Sequence, residues 1–394
     1  MSSSLSNVYN NVNYALHLHG TAMTRLQEQA STGSRINRVS DDPSSAYRVM
    51  GLNTEQRTLD NYTDNLSEIV SLLDLSSTVI QQIASSLTET RVRLTQIAGG
   101  IYSEDARQRT AEGINDILEQ IVSLANTQHM GQYLFGGGDT TTAPYLVERT
   151  NGRITSVTYI GSDVNRKVQV APGVNSSAFF VGDDMFRSDD RSELVFLGET
   201  GAKAGTGTST VRSDTWLTVT GSAGNYTLSI DDGQTTFNTD GTDTNLAVTN
   251  SATGEILYVD TTGITATGVD MVRAPGTYDI FSTLINIRDI LQNEKGLSDS
   301  QLRELQDNSL VALGEVTGLV TEAEVTVGAR VGFLDNLKDS LKNLKYDAED
   351  ETTRLQEADI AQIAIDLSRR EILYQMSLSV AGKLMSVSLL DYLR

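Results

Sequence analysis

The sequence predicts a multidomain α + β protein. Its N- and C-terminal halves form a long α-helical coiled-coil or bundle rod, and an all-β insertion lies at the tip. Three observations support this: a heptad repeat of apolar residues in the first quarter of the chain, a second repeat near the end, and alternating threonine-rich runs between them. A seven-residue apolar repeat is typical of packed helices, and a two-residue alternation is typical of strands.

The first 33 residues form the first predicted helix. Apolar residues recur there at helical spacing, at Leu5, Val8, Val12, Ala15, Ala22 and Leu26. Before Gly33 the only charges are Arg25 and Glu28. A helix with so little charge on its outer side is suited to packing against several neighbours rather than against water.

The sequence SDDP, at residues 40–43, marks the start of the second helix. Asp42 is the expected N-cap and Pro43 the first helical residue, since proline needs no N–H partner there. Asp41 and Asp42 together also place negative charge at the positive end of the helix dipole. Gly33 is the expected C-cap of the helix before it.

The second helix carries the most regular pattern in the chain. Its seven-residue repeat consists of Leu52, Leu59, Leu66, Leu73, Ile80, Leu87 and Leu94. At 1.5 Å per residue, this predicts about 65 Å of uninterrupted helix between Leu52 and Leu94. A third helix is expected at about 103–129.

Strands are expected over residues 141–274, which read as one or two all-β domains with glycine-rich turns. The three glycines at 136–138 are expected to be a flexible loop. Helix returns near Tyr278, followed by a long apolar seam over 302–344 that loses its phase at Ser309 and Arg330. We therefore expect three domains: 1–40 with 355–394 as a terminal helical coiled coil, 41–140 with 275–354 as a long helical bundle, and 141–274 as the β-rich part.

Composition excludes several classes of function. The chain has 394 residues and a formal charge of −21, which argues against binding to nucleic acid or to anionic membranes. It has no cysteine, so disulfides and zinc–thiolate sites are excluded. No cleavable signal peptide and no 18-residue apolar run is present, so we expect no membrane insertion.

No catalytic, cofactor or metal site is expected. The three histidines, His17, His19 and His129, do not have metal-ligand spacing. The glycines at 136–138 lack the context of a phosphate loop, and the Asp-Gly pairs in the β-rich part fit hairpin turns better than calcium loops. The chain is therefore not expected to be an enzyme.

The two ends and the first β-region resemble a known family. The stretch STGSRINRVSDDPSSAYRVMGL is similar to the N-terminal signature of flagellin-like axial proteins. Its Asp-Asp-Pro resembles the hook–filament junction branch, the hook-associated protein 3 family. The stretches GQYLFGGGDTTTAPY, VTYIGSDVNRKVQVAPGVNSSAFFVGDDMF and YQMSLSVAGKLMSVSLLDYLR resemble the same branch.

The resemblance implies a structural adaptor of the bacterial flagellum that assembles with itself as a ring at the hook–filament junction. The implied partners are a neighbouring hook-associated protein, flagellin, an export chaperone and the type III export apparatus. The implied location is extracellular. Assembly is expected to rest on apolar residues near both ends: Leu5, Val8, Val12, Leu26, Leu378, Leu384, Leu389, Leu390 and Tyr392.

Three alternatives stay open. The first is a filament flagellin, which would have the same fold at a different position in the flagellum. The second is a coiled-coil surface adhesin whose β-rich part binds glycans. The third is an enzyme built into the β-rich part, which the lack of cysteine and the scarcity of histidine disfavour.

Overall fold

A computed structural model describes residues 2–98 and 103–392, apart from the side chains of 2–6, 8, 9, 98, 384 and 386–392. Its helices are α1 (Ser2–Thr32), α2 (Pro43–Ala98), α3 (Glu104–Ala125), α4 (Gly182–Phe186), α5 (Ile280–Gln292), α6 (Asp299–Gln356) and α7 (Ile360–Tyr392). The predicted fold class, multidomain α + β, is confirmed: long helices from both halves of the chain flank a β-rich insertion.

The strands lie between α3 and α5. They are β1 (Gln128–His129), β2 (Gln132–Tyr133), β3 (Tyr145–Thr150), β4 (Arg153–Tyr159), β5 (Lys167–Ala171), β6 (Val174–Ser177), β7 (Val195–Leu197), β8 (Lys203–Ala204), β9 (Ser213–Ser222), β10 (Asn225–Ser229), β11 (Phe237–Thr239), β12 (Leu246–Thr249), β13 (Ile256–Asp260) and β14 (Gly268–Ala274).

The chain divides into two compact units. The terminal unit contains Met1–Asn65 and Asn336–Arg394, and the central unit contains Leu66–Asp335. The finer division into three domains stays a prediction.

Helix α2 is continuous over 56 residues, and its heptad residues supply core. Leu59, Leu66, Leu73, Ile80, Leu87 and Leu94 are buried, and Leu52 is half-buried. A helix of this length is stabilised mainly by burying such a seam, because isolated helices are only marginally stable in water.

Helix α6 is continuous over 58 residues, so the expected phase breaks do not interrupt it. Ser309 is buried in the seam, and its hydroxyl donates to the Leu305 carbonyl at 2.7 Å. Arg330 lies half-buried with its guanidinium over the Phe180 ring, 4.7 Å from the centroid. Both polar residues therefore fit the seam without ending the helix.

Helix α3 ends at Ala125, so the expected helix over 103–129 is too long by four residues. Asn126 forms its C-cap, and Gln128–His129 pair with Gln132–Tyr133 in a short hairpin. The turn of this hairpin places Met130 and Gly131 at positive φ, a conformation that no helix continues through. His129 therefore lies on a strand.

The three glycines at 136–138 pack closely, contrary to the expected flexible loop. Gly137 has φ +63°, and a Cβ on it would lie 2.3 Å from the Ser162 carbonyl oxygen. Glycine is required there by the close approach of the neighbouring backbone and by the left-handed conformation.

The first β-region consists of two antiparallel hairpins, β3–β4 and β5–β6. An aromatic cluster attaches it to α4 and α5: Tyr145 lies 4.7 Å from Phe281, and Phe135 lies 5.1 Å from Phe186, between ring centroids. Offset or edge-to-face pairs at these distances add to the stabilisation that burial provides.

The second β-region contains a five-stranded antiparallel sheet, in the order β11-β10-β9-β14-β7, and a three-stranded sheet, in the order β12-β13-β8. They share one apolar core, which includes Leu217, Leu228, Val248, Leu257 and Val259. This core is distinct from the seams of the long helices, so the β-rich insertion has a hydrophobic centre of its own.

The five-stranded sheet is joined to the helices of the central unit by a second cluster. Met271 of β14 packs with Ile290 of α5 and with Leu302 and Leu305 of α6, and Trp216 of β9 packs against them. The second β-region is therefore attached to the helices through buried apolar contacts.

A buried polar network lies beside this cluster. Arg273 donates to Asp214 at 3.0 Å, to the Tyr278 hydroxyl at 2.8 Å and to the Asn308 carbonyl at 2.8 Å. Tyr278 also donates to Asp214 at 2.8 Å. Burial, together with the negative charge of Asp214, raises the pKa of Tyr278 far above its ordinary value, so the hydroxyl stays protonated.

Candidate functional site: an assembly surface

The two terminal helices are held together in the terminal unit by a short pairing between their connecting segments. Ser34 forms an antiparallel bridge with Glu357. The Arg35 N–H donates to the Gln356 carbonyl at 2.7 Å, and the Ala358 N–H donates to the Gly33 carbonyl at 3.1 Å. Gly33 has φ +66°, as expected of a left-handed C-cap.

Asp42 lies at the N-cap position of α2. Its carboxylate accepts the Ser45 N–H at 3.1 Å and the Ser45 hydroxyl at 2.7 Å, and Pro43 is the first helical residue. The hydroxyl and N–H bonds from Ser45 lower the pKa of Asp42, and Arg35, at 3.2 Å, lowers it further. The side chain therefore stays charged at neutral pH.

Asp41 bonds to the connecting segment that precedes α2. Its carboxylate accepts the N–H groups of Arg38 at 2.9 Å and of Asn37 at 3.2 Å, and it lies 3.3 Å from Arg25 of α1. The bond from the Arg38 N–H is the main reason why the pKa of Asp41 is lowered. Asp41 thus ties the α1–α2 connection back onto α1.

Helices α1 and α7 pack against each other, and an apolar groove runs between them. The groove has a volume of about 390 Å³, and its lining includes Val12 and Ala15 of α1 with Leu373, Met376 and Val380 of α7. His19 Nδ1 lies 3.3 Å from the Arg370 guanidinium and joins the two helices beyond the groove.

Many large apolar side chains of α7 face solvent in the single chain. Among its described side chains, the exposed large apolar ones are Ile360, Ile365, Ile372, Leu373, Met376, Leu378, Val380 and Met385. On α1, Tyr14 is 71% exposed and Leu18 is 50% exposed. An exposed apolar surface this extensive is typical of a protein–protein interaction site.

The structure describes the side chains of three of the nine residues expected to carry assembly. Val12 is half-buried and lines the groove, Leu26 is half-buried, and Leu378 is 47% exposed. The remaining six side chains lie outside the described part: Leu5, Val8, Leu384, Leu389, Leu390 and Tyr392. The role of all nine in assembly stays a prediction.

The sequence does not predict which residues of α7 line the groove beside α1. Leu373, Met376 and Val380 line the groove beside Val12, whereas the sequence predicts Leu378 at this surface. The signal was present, because these residues recur at steps of three and four along α7. A helix that is apolar on more than one side does not reveal from its sequence alone which side meets α1.

Among residues 2–98 and 103–392, no group of three histidine or carboxylate side chains is placed to hold a metal ion. Within the same residues, no helix is both long enough and apolar enough to cross a membrane.

A comparison with known protein families indicates the class of protein to which the N-terminal helices are similar. Residues 4–140 match the family described as the bacterial flagellin N-terminal helical region. This region contains α2, α3, the Asp42 cap and all of α1 but its first two residues. The resemblance to flagellin-like axial proteins is therefore confirmed.

Individual relatives narrow the resemblance to the junction branch. The chain is 29% identical over 162 residues to flagellar hook-associated protein 3 of Escherichia coli (strain K12), covering 41% of this chain and 49% of that protein. It is 30% identical over 122 residues to flagellar hook-associated protein 3 of Salmonella typhimurium, covering 31% and 38%. The chain thus spans half or less of the length of these relatives.

A solved structure shows the same fold over most of the chain. The crystal structure of flagellar hook-associated protein-3 from Legionella pneumophila is 17% identical and covers 78% of this chain and 98% of that one, with a TM-score of 0.54. At this identity the likeness concerns the fold alone. The relatives at 29% and 30% identity confirm the resemblance to hook-associated protein 3.

Proposed function

We propose that the chain is a structural adaptor of the bacterial flagellum, placed at the hook–filament junction. The observation that carries the proposal is the exposed apolar surface of α1 and α7, which a single chain leaves in water. Burying a large apolar side chain contributes about 1.5–3 kcal/mol, so copies that cover these residues gain stability on assembly. The relatives named hook-associated protein 3 support a location next to the hook.

The proposed assembly is a ring of copies of this chain between another hook-associated protein and the first flagellin subunits. In this arrangement residues 1–40 with 355–394 form a terminal helical coiled coil, residues 41–140 with 275–354 form a long helical bundle, and residues 141–274 form the β-rich part. The acidic surface, with 51 carboxylate residues against 30 lysines and arginines, keeps the chain soluble before it assembles.

The chain is proposed to reach the cell exterior through the flagellar type III export apparatus, escorted by an export chaperone. A chain that is threaded unfolded and refolds outside is better without disulfides, and this sequence has no cysteine. The role is structural rather than catalytic.

Substitution on α7 tests the proposal. Leu378→Asp should leave the isolated chain folded, since Leu378 is already 47% exposed. It should reduce incorporation into the flagellum about tenfold or more, because a charge would replace an apolar contact. Ser379→Asp, at an exposed neighbour on the same helix, is the matched control.

Incorporation into the flagellum also tests the predicted assembly residues near the C-terminus. The double substitution Leu389→Asp and Leu390→Asp should also block incorporation, as judged by the amount of chain that sediments with purified hook–basal bodies. Normal incorporation of both the Leu378→Asp variant and the double variant would contradict the proposed surface.

A filament flagellin is the second candidate. The observation in its favour is the match of residues 4–140 to a region that is described for flagellin itself. The two roles differ in copy number, because a filament subunit makes up the bulk of the purified filament and a junction protein is a minor component. Quantification of this chain in sheared filaments separates them.

A further inference from the structure

The groove between α1 and α7 combines apolar walls with two uncharged polar side chains. The walls are apolar side chains of both helices, and Asn11 of α1 and Ser377 of α7 line the groove beside them. No acidic or basic residue is among the described residues that line it. A charged side chain would lose hydration there without gaining an ion pair, so the groove fits an apolar side chain that carries at most a polar tip.

Two large apolar side chains project from another side of α1. Tyr14 is 71% exposed and Leu18 is 50% exposed. They are four residues apart, so they share one face of the helix, whereas Tyr14 and the groove residue Val12 are two apart and point in different directions. The pair of helices α1 and α7 therefore carries both a groove and two projecting side chains, on different sides.

The first part of α1 matches the groove in charge. Residues 1–24 contain no aspartate, glutamate, lysine or arginine, and this is the longest such run in the chain. The remaining residues carry all 51 acidic and 30 basic side chains. A segment with exposed apolar side chains and no charge can enter an uncharged groove without leaving a charge unpaired, so this part of α1 is the segment of the chain that fits best.

A tyrosine also suits the two polar side chains of the groove. Its ring buries a large apolar area, and its hydroxyl needs a hydrogen-bond partner once it is buried. The side-chain amide of Asn11 and the hydroxyl of Ser377 can each donate to or accept from that hydroxyl. Tyrosine is one of the residues that most often anchor protein interfaces, so Tyr14 has the chemistry of an inserted side chain.

We propose that Tyr14 and Leu18 of one copy insert into the α1–α7 groove of the next copy. The inference rests on the proposed function, because it names the partner of the assembly surface as a second copy of the same helix pair. The inserted side chains and the groove lie on different sides of that pair, so each copy contacts the preceding copy and the following copy through different surfaces. Head-to-tail contacts of this kind generate rings or helices, as the proposed assembly requires.

Cross-linking through introduced cysteines tests this contact, because the wild-type chain has no cysteine. A strain that lacks the gene expresses two chains with different tags, one with Leu18→Cys and the other with Ser377→Cys. Hook–basal bodies are purified and oxidised in air with a copper catalyst. Dimers that contain both tags should form, because a disulfide joins residues whose Cα atoms lie within about 7 Å of each other.

Ser379→Cys in place of Ser377→Cys is the matched control. Ser379 is an exposed serine two residues further along α7, so it points away from the groove. Strains that combine it with Leu18→Cys should lose the dimers that contain both tags.

Ser377→Trp tests the groove without a cross-link. The indole fills the groove but leaves Tyr14 and Leu18 in place, so incorporation into the hook–basal body should fall about tenfold or more. The isolated variant should melt at the wild-type temperature, because Ser377 is only half-buried in the single chain. Ser379→Trp, at the exposed neighbour, is the control and should incorporate as the wild-type chain does.

The outcomes distinguish this contact from the proposed function. Incorporation of both cysteine variants without dimers of both tags would overturn the contact and leave the groove to a different protein. Normal incorporation of Ser377→Trp would also overturn it. Dimers that join only two Leu18→Cys chains would show a two-fold contact instead of a head-to-tail one. Failure of the wild-type chain to incorporate would contradict the proposed function itself.

Discussion

At the scale of single residues, the connection between α1 and α2 is fixed by two adjacent carboxylates with different partners. Asp42 caps α2 through Ser45, and Asp41 accepts the N–H groups of Asn37 and Arg38. The two residues orient the start of α2 relative to α1, so this connection is expected to be sensitive to either one.

Asp42→Ala should lower the free energy of unfolding, because two N-terminal groups of α2 lose their acceptor. Urea denaturation of the purified chain measures the change. Asp64→Ala, at an exposed site inside the same helix, is the control and should change stability by less than about 0.5 kcal/mol. Equal effects of the two substitutions would argue against the cap.

The contribution of Asp42 should also depend on pH. Its pKa is lowered from the ordinary value of 3.8, so the folded chain favours the charged form more than the unfolded chain does. The stabilisation is therefore complete above pH 3.8 and is lost as the pH falls through the folded-state pKa. The stability difference between the wild-type and Asp42→Ala chains should shrink below that pH, and a difference that stays constant would contradict this.

The cap could be predicted from the sequence, and the bonds of Asp41 could not. An N-cap depends on the next three residues, and SDDPSS contains the aspartate, the proline and the serine that are needed. The pairing of Asp41 with Arg25 and with the N–H of Arg38 depends on how residues 33–42 fold back on α1, which no local pattern encodes.

At the scale of elements, the heptad residues correctly predicted α2 and the position of α6, because helical periodicity is a local property. The order of strands in the sheets could not be predicted, since β14 pairs with β9 across about fifty residues of sequence. The predicted end of α3 is wrong for a similar reason. Residues 128–129 pair with residues 132–133 in the β1–β2 hairpin instead of continuing the helix.

The buried network of Arg273, Asp214 and Tyr278 should be one of the most sensitive places in the second β-region. Arg273→Met leaves a buried carboxylate unpaired and should cost about 3–5 kcal/mol of stability. Arg212→Met removes the more exposed pair with Asp189 and should cost about 1 kcal/mol or less. Hydrogen exchange in β9 and β14, compared between the variants, measures the difference. Similar exchange in both would contradict the role of the network.

At the scale of the whole molecule, the main feature is apolar surface that the single chain leaves uncovered on its terminal helices. The low charge of the first 33 residues predicted helices that pack on several sides, and the exposed residues of α1 and α7 have the character expected of such helices. The half-buried position of Arg330 could be predicted from the phase of the α6 seam, because an arginine stands at an apolar position there. Its aromatic neighbour, Phe180, comes from a distant part of the chain.

One measurement tests the central claim most directly: deletion of the gene, followed by a count of hooks on the cells and an assay of flagellin in the culture medium. A junction adaptor predicts cells with hooks but without filaments, and flagellin free in the medium, with recovery when the wild-type chain is supplied. Hooks without any flagellin would identify this chain as the filament subunit, and normal filaments would contradict a role in the flagellar axis.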